Sequence, residues 1–331
     1  MTTVRRPTLA IAICLAACAG GGRRDSLSIL PPAAPRGVDE VYLPEGVAPP
    51  TRATVELGRR LFFDPIVSRD SSIACASCHR PAFAFGDTVP FSRGVGGRHA
   101  ARNTPPLVNR AYAHSLFWDG RSDLLERTVL MPIENPNELA LTLPALLERI
   151  GRSAFYGPAF RSAFPREGAT EKTLGTALAS YVRALRFGDS PADRYLEGDT
   201  LALSPAARRG QSLFIGSAGC SACHFGPTLS DGQFHNTGVG YGGADVGRFT
   251  VTGAEADRGR FRTPTLRDVA RTAPYMHDGS LTTLEQVVAF YNRGGNPNPH
   301  LDSDIQPRLL TASDEADLVE FLKALTSRTT P

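Results

Sequence analysis

Four of the six cysteines in this 331-residue chain form two matched clusters, Cys75-Ala76-Ser77-Cys78-His79 and Cys220-Ser221-Ala222-Cys223-His224. Two thiols three positions apart, with a histidine directly after the second, are the attachment signature of a c-type haem. The thiols bond to the two vinyl groups as thioethers, and the adjacent imidazole turns onto the iron as proximal ligand. One such cluster alone also suits half of a zinc site or a redox dithiol. Two of them, each with its histidine, in a chain with an export-type N-terminus, point to two covalent c-type haems. Their attachment residues are Cys75, Cys78, Cys220 and Cys223, and their proximal ligands are His79 and His224.

A repeated helix must position these clusters. Leu57-Gly58-Arg59-Arg60-Leu61-Phe62 precedes the first, and Arg209-Gly210-Gln211-Ser212-Leu213-Phe214 precedes the second. Gly-x-x-Leu-Phe thus recurs on what reads as a short amphipathic helix. Ser204-Pro205 offers the second copy an N-cap and a first-turn residue. Further helices are predicted over 170–187, 283–292 and 313–325, with Gln286 completing a capping box to Thr283. Strand-like alternation is scarce. The expected fold is mainly α: two cytochrome c-like domains, 51–203 and 204–328, each wrapped around one haem, with the boundary within 188–204.

Composition narrows the function classes. Hydrophobic residues make up 41% and charged residues 21%, which suits a folded globular chain. The net charge of +3 is spread along the chain, without the basic clusters of a nucleic-acid binder. At the N-terminus, Arg5 and Arg6 precede an apolar run over 9–17 that is too short to span a bilayer. It ends Leu15-Ala16-Ala17-Cys18, which resembles a bacterial lipobox, with a plain secretory signal as the alternative. The expectation is a signal peptide over 1–17, a lipid-anchored Cys18, a flexible tether over 18–50 and a periplasmic location. The membrane is then touched only through the lipid.

Further motifs give the chain a resemblance. They are Phe117-Trp118-Asp119-Gly120-Arg121, Pro132-Ile133-Glu134-Asn135-Pro136-Asn137-Glu138, Thr263-Pro264-Thr265-Leu266-Arg267 and Ala273-Pro274-Tyr275-Met276-His277-Asp278-Gly279-Ser280. With the two haem motifs they cover roughly 50–326, and the chain resembles the bacterial dihaem cytochrome c peroxidases and their MauG-type relatives. The resemblance implies that the N-terminal haem is peroxidatic and that the C-terminal haem handles electrons.

It also implies roles for single residues. Ordinary members cap the second haem with a methionine fourteen positions after the His of His-Asp-Gly; that position is Tyr291 here, the tyrosinate mark of the MauG type. Met276 competes for the same iron, since Met with His is a common c-type pair. The removable histidine of ordinary members falls on Val95, which implies an open peroxide site, with His99 the only nearby histidine. Glu138 matches the family's proton-moving glutamate, with Glu134 as local rival, and Pro132 matches the proline lining that pocket. Thr128 replaces the family's pocket glutamine, and its hydroxyl could still hold a water. Trp118, the chain's single tryptophan, becomes the relay between the haems. Asn103, Thr272 and Pro274 match the positions of a calcium ion held between the domains.

The leading expectation is a periplasmic peroxidase. It takes hydrogen peroxide to water with electrons from a small cytochrome c or cupredoxin. The rival is MauG-like oxidation of side chains on a protein substrate, and a third reading is a non-catalytic dihaem electron carrier.

Overall fold

The computed structural model describes residues 34–328. Cys18, the signal peptide and the first part of the tether lie outside the described residues. The described chain is mainly helical with long intervening loops. Its only ladder, among the described residues, pairs Phe234–His235 with Phe261–Arg262 in antiparallel register. No described helix is long and apolar enough to cross a membrane.

Two helix crossings organise the molecule. Helix Arg52–Phe63 begins at a capping box between Thr51 and Thr54 and buries Leu57, Gly58, Leu61 and Phe62. It crosses helix Glu171–Ala184, which Thr170 caps. The crossing is so close that a Cβ on Gly58 would lie 1.9 Å from the Ala177 carbonyl oxygen. Helix Pro205–Ile215 crosses helix Ala312–Lys323 in the same way, and a Cβ on Gly210 would lie 1.9 Å from the Asp317 carbonyl oxygen. One turn on, Phe62 meets Tyr181 with ring centroids 5.0 Å apart, and Phe214 meets Phe321 at 5.2 Å. The repeated Gly-x-x-Leu-Phe is therefore a repeated contact. Its glycine sets the closeness of approach and its phenylalanine fills the space beyond.

Each crossing supports its own apolar core. Leu61, Val67, Leu146, Ile150, Phe160, Leu174 and Phe187 sit fully buried in the first. Leu203, Phe214, Val288, Leu318 and Phe321 belong to the second. Burial at about 1.5–3 kcal/mol per large apolar side chain makes these two clusters the main source of stability.

Several sequence expectations need adjustment. The helix predicted over 170–187 ends at Ala184, and the chain then extends so that Asn109 can bond the backbone of Phe187 on both sides. Thr283 caps helix Leu284–Asn292 through Gln286 N. Gln286 does not return the bond to Thr283. Its side-chain oxygen accepts from the N–H and hydroxyl of Thr282 instead, so the reciprocal box is not formed. The tether assignment also fails near 34–40. Val38 is buried, Asp39 O accepts from the Tyr112 hydroxyl, and Gly37 O accepts from Arg267, whose guanidinium also pairs with buried Asp193. A Gly- and Pro-rich segment reads as a linker by composition, yet one of its carbonyls here helps satisfy a buried arginine.

Candidate active site

Both Cys-x-x-Cys-His clusters sit on single short turns, Cys75–Cys78 and Cys220–Ala222, each following its crossing helix. The two histidines are prepared identically. His79 Nδ1 bonds the Phe85 carbonyl and His224 Nδ1 bonds the Leu229 carbonyl, both at 2.9 Å. A carbonyl partner fixes the proton on Nδ1 and leaves Nε2 as a lone-pair donor, the arrangement a metal-bound histidine requires. Burial pushes His79 down to about 4 and lowers His224 too, so both imidazoles are neutral near pH 7. Burial also pushes the Cys75 thiol up to about 12 and the Cys78 and Cys220 thiols up to about 11. Each pair stands on one turn, where both sulfurs can reach the two vinyl groups of a single haem. The chemistry of this donor set fits covalent haems.

The second cluster opens onto a cleft of about 1420 Å³, its mouth included. Cys220, Cys223 and His224 line it, together with Tyr291, Met276, Trp118, Asn103, Thr272 and Pro274. The structure therefore gathers both candidate ligands, Trp118 and the three residues expected to hold calcium around one cavity. Tyr291 projects from helix Leu284–Asn292, and burial raises its phenol well above the usual tyrosine value. Met276 reaches the same cavity from a turn in which its own backbone is left-handed, at φ 74°.

Trp118 is buried, and its indole N–H donates to Asn103 O at 2.8 Å. Its ring meets His277 edge-on at 6.5 Å, and His277 stacks on Phe261 with centroids 3.5 Å apart. A charge network clamps the neighbouring residues. Arg102 bonds Asp119 at 2.6 Å and Asp245 at 2.7 Å, and Arg121 bonds Asp119 at 3.0 Å. Burial pushes Asp119 up, but the two arginines outweigh it and hold its carboxyl below the usual range.

Of the calcium trio, Asn103 is buried and turns its amide nitrogen to the Val89 and Pro90 carbonyls, leaving Oδ1 free. The Thr272 hydroxyl donates to Val269 O. The carbonyl oxygens of Thr272 and Pro274 accept no hydrogen bond among the described residues. Free oxygens of this kind, with no nitrogen or sulfur donor among them, fit a hard cation.

Glu138 lines a separate pocket with Phe117, Arg121, Met131, Pro132, Glu134 and Asn135. Burial pushes its carboxyl up, while Arg121 and the Asn135 amide, 2.6 Å from Oε1, pull the other way without overcoming it. Glu134 is exposed at the rim. Val95 is buried, and its N–H donates to Glu138 O. His99 is exposed and bonds Phe91 O, away from the pocket. Thr128 does not line it: its hydroxyl is committed to Ser122 and Leu124, so the expected water contact is not made there.

Other residues emerge only in three dimensions. His235 lies between Asp302 at 2.7 Å and Asp231 at 2.9 Å, beside Cys223, and hydrogen bonds from these groups raise it to about 10. Phe261, Asn135 and Arg121 were equally unassigned. Arg121 and Asn135 lie within sequence motifs, and only their place beside Glu138 gives them a role.

The di-haem cytochrome c peroxidase family model matches residues 52–201. The chain is 40% identical over 282 residues to methylamine utilization protein MauG of Methylorubrum extorquens, covering 84% of this chain and 79% of that protein. It is 36% identical over 301 residues to cytochrome-c peroxidase IdrP2 of Denitromonas iodatirespirans, covering 82% and 81%. The crystal structure of a MauG-like protein associated with microbial copper homeostasis superposes with a TM-score of 0.78 at 33% identity, covering 87% of this chain and 96% of that one.

Proposed function

The chain belongs to the di-haem cytochrome c peroxidase family, an oxidoreductase family whose members imply two c-type haems, and from that premise we propose that it reduces hydrogen peroxide to water. One peroxide, two protons and two electrons give two waters, the electrons coming from a small cytochrome c or cupredoxin. The observation that carries this reading is Glu138, a half-buried carboxyl with raised affinity for its proton, in a pocket without a histidine among its lining residues. When bound, the haems supply redox storage and the site at which peroxide binds. The chain's own residues do the rest. Glu138 accepts the proton of the peroxide oxygen nearer the iron and returns it to the distal oxygen, which leaves as water. Asn135 holds the carboxylate, Pro132 and Phe117 wall the pocket, and Trp118 shortens the electron path from the second haem to the first.

Tyr291 favours a second reading, MauG-like oxidation of a partner protein's side chains. A phenolate at the second iron stabilises oxidation states above ferric better than a thioether does, and the relative MauG supports the comparison. Calcium belongs to the same reading, held by Asn103, Thr272 and Pro274 as a brace at the cleft. Export to the periplasm with a lipid on Cys18 completes it.

The first test is the ferric spectrum of the purified protein. A high-spin component that shifts on adding peroxide is the expected result. Two purely low-spin haems would instead make the protein an electron carrier. Adding a candidate protein with peroxide, and mapping the oxidised side chains by mass spectrometry, separates the two enzyme readings.

A further inference from the structure

Arg110 is a charged side chain with no visible reason to be where it is. It is buried, its Nε is shut off without a partner, and its side chain makes no ion pair or hydrogen bond among the described residues. Arg262 is buried too, and its guanidinium bonds only the carbonyls of Phe117 and Thr263. The two cations bear on one another: the charge of Arg262 helps to push Arg110 down, after burial. Arg110 in turn bears on His79, the first proximal histidine, while Arg262 lines the cleft of Cys220, Cys223 and His224. Arg110 is thus buried with no hydrogen-bond partner and no carboxylate, while Arg262 is buried at the cleft with two carbonyls and only the field of Asp231 to support its charge. An isolated buried charge is among the most destabilising features a fold can carry, and two adjacent ones are worse. Elsewhere in this protein buried arginines are paired, Arg183 with Glu126 and Arg267 with Asp193.

We propose that Arg110 and Arg262 form a seat for haem propionates at the seam between the two halves, Arg110 answering the first haem and Arg262 the second. This rests on the reading that both haems are present. A propionate is a carboxylate, and a guanidinium fork is the side chain best shaped to take one in two parallel hydrogen bonds. Neither partner is tolerable in this interior without the other.

The test uses the purified dihaem protein, with Arg110→Gln, Arg262→Gln and the two Arg→Lys variants. Haem content is counted first, by the pyridine haemochrome spectrum. Fewer than two haems per wild-type chain would refute the underlying reading, separately from this proposal. With two haems present, each midpoint potential is measured at mildly alkaline pH. Loss of a cation favours the ferric form. Arg110→Gln should shift the first haem's reduction equilibrium about tenfold, which is a fall of ~59 mV for one electron. Arg262→Gln should do the same at the second haem. The Lys variants should stay within about threefold, and the propionate-bending bands in resonance Raman should move in the Gln variants only. If the Gln proteins do not accumulate, displaced propionate bands in the Lys variants carry the test. Unchanged potentials and unchanged propionate bands in fully haem-loaded variants would overturn the proposal.

Discussion

The backbone N–H of Val95 donates to the carbonyl of Glu138 at 2.8 Å. The loop that carries a removable histidine in ordinary relatives is therefore tied directly to the proposed acid–base residue. The close fit is set by Gly94, where a Cβ would lie 2.1 Å from the Asn137 carbonyl oxygen. In the proposed reading Val95 offers no ligand atom to the first haem, so the peroxide site would need no ligand to leave.

Glu138→Gln is expected to retain the ferric spectrum and lose about 10²–10⁴ in peroxide turnover, the usual cost of removing a positioned acid–base group. Glu134→Gln, at the exposed rim, is expected to lose less than threefold. Steady-state peroxide assays decide between them. If Glu134→Gln shows the larger loss, the assignment of the carboxylate is reversed.

The same carboxyl gives a pH prediction. Burial raises its proton affinity in the folded state, so the fold favours the protonated form. Its stabilising contribution is complete below the unfolded value of ~4.3 and is lost as pH rises through the higher folded value. Glu138→Gln, always neutral, should equal the wild type near pH 4 and unfold at higher denaturant concentration near pH 7. Denaturant titrations at the two pH values measure the difference.

Tyr291→Phe should abolish iron–phenolate bands in the resonance Raman spectrum of the wild-type protein while the first haem still binds exogenous ligands. A thioether-to-iron charge-transfer band in the wild-type near-infrared spectrum would make Met276 the ligand instead.

If calcium is held as proposed, chelation should slow electron transfer between the haems, because Asn103 would offer its free Oδ1 to the ion while its carbonyl receives the indole N–H of Trp118. Stopped-flow reduction, with and without chelator, reads the effect. A protein that contains no calcium and ignores chelator would remove the ion from the account.

Gly58→Ala and Gly210→Ala should each cost at least the ~1–3 kcal/mol of an overpacked core, since a rigid carbonyl stands 1.9 Å from the new methyl. Thermal unfolding of the two variants checks this. Equal stability to wild type would mean that the helices can separate at the crossing.

The chemistry was legible because it is local. A Cys-x-x-Cys-His cluster declares itself within five residues, and the helix face of Leu57, Leu61 and Phe62 within two turns. The family motifs and fixed offsets from them brought Trp118, Tyr291 and Glu138 to light, and folding sets the first two along the cleft of the second haem motif and Glu138 in its own pocket. Other features depended on distant segments. Nothing near Arg110 in sequence announces Arg262, and nothing near His235 announces Asp302. The segment 34–40 misled for the same reason, since its partners Tyr112 and Arg267 lie far along the chain.

The two glycine crossings also bear on the order of folding. Each joins helices roughly 110 residues apart, so the contact that closes each half has high sequence separation and forms late. The loop it closes contains Cys75 and Cys78 in one half, Cys220 and Cys223 in the other. A macrocycle bonded to those cysteines beforehand would present an apolar surface for Phe62, Tyr181 and their counterparts Phe214 and Phe321 to collapse upon. Haem attachment would then be a folding step as well as a chemical one: the cofactor serves as the nucleus, and each glycine as the latch that closes over it.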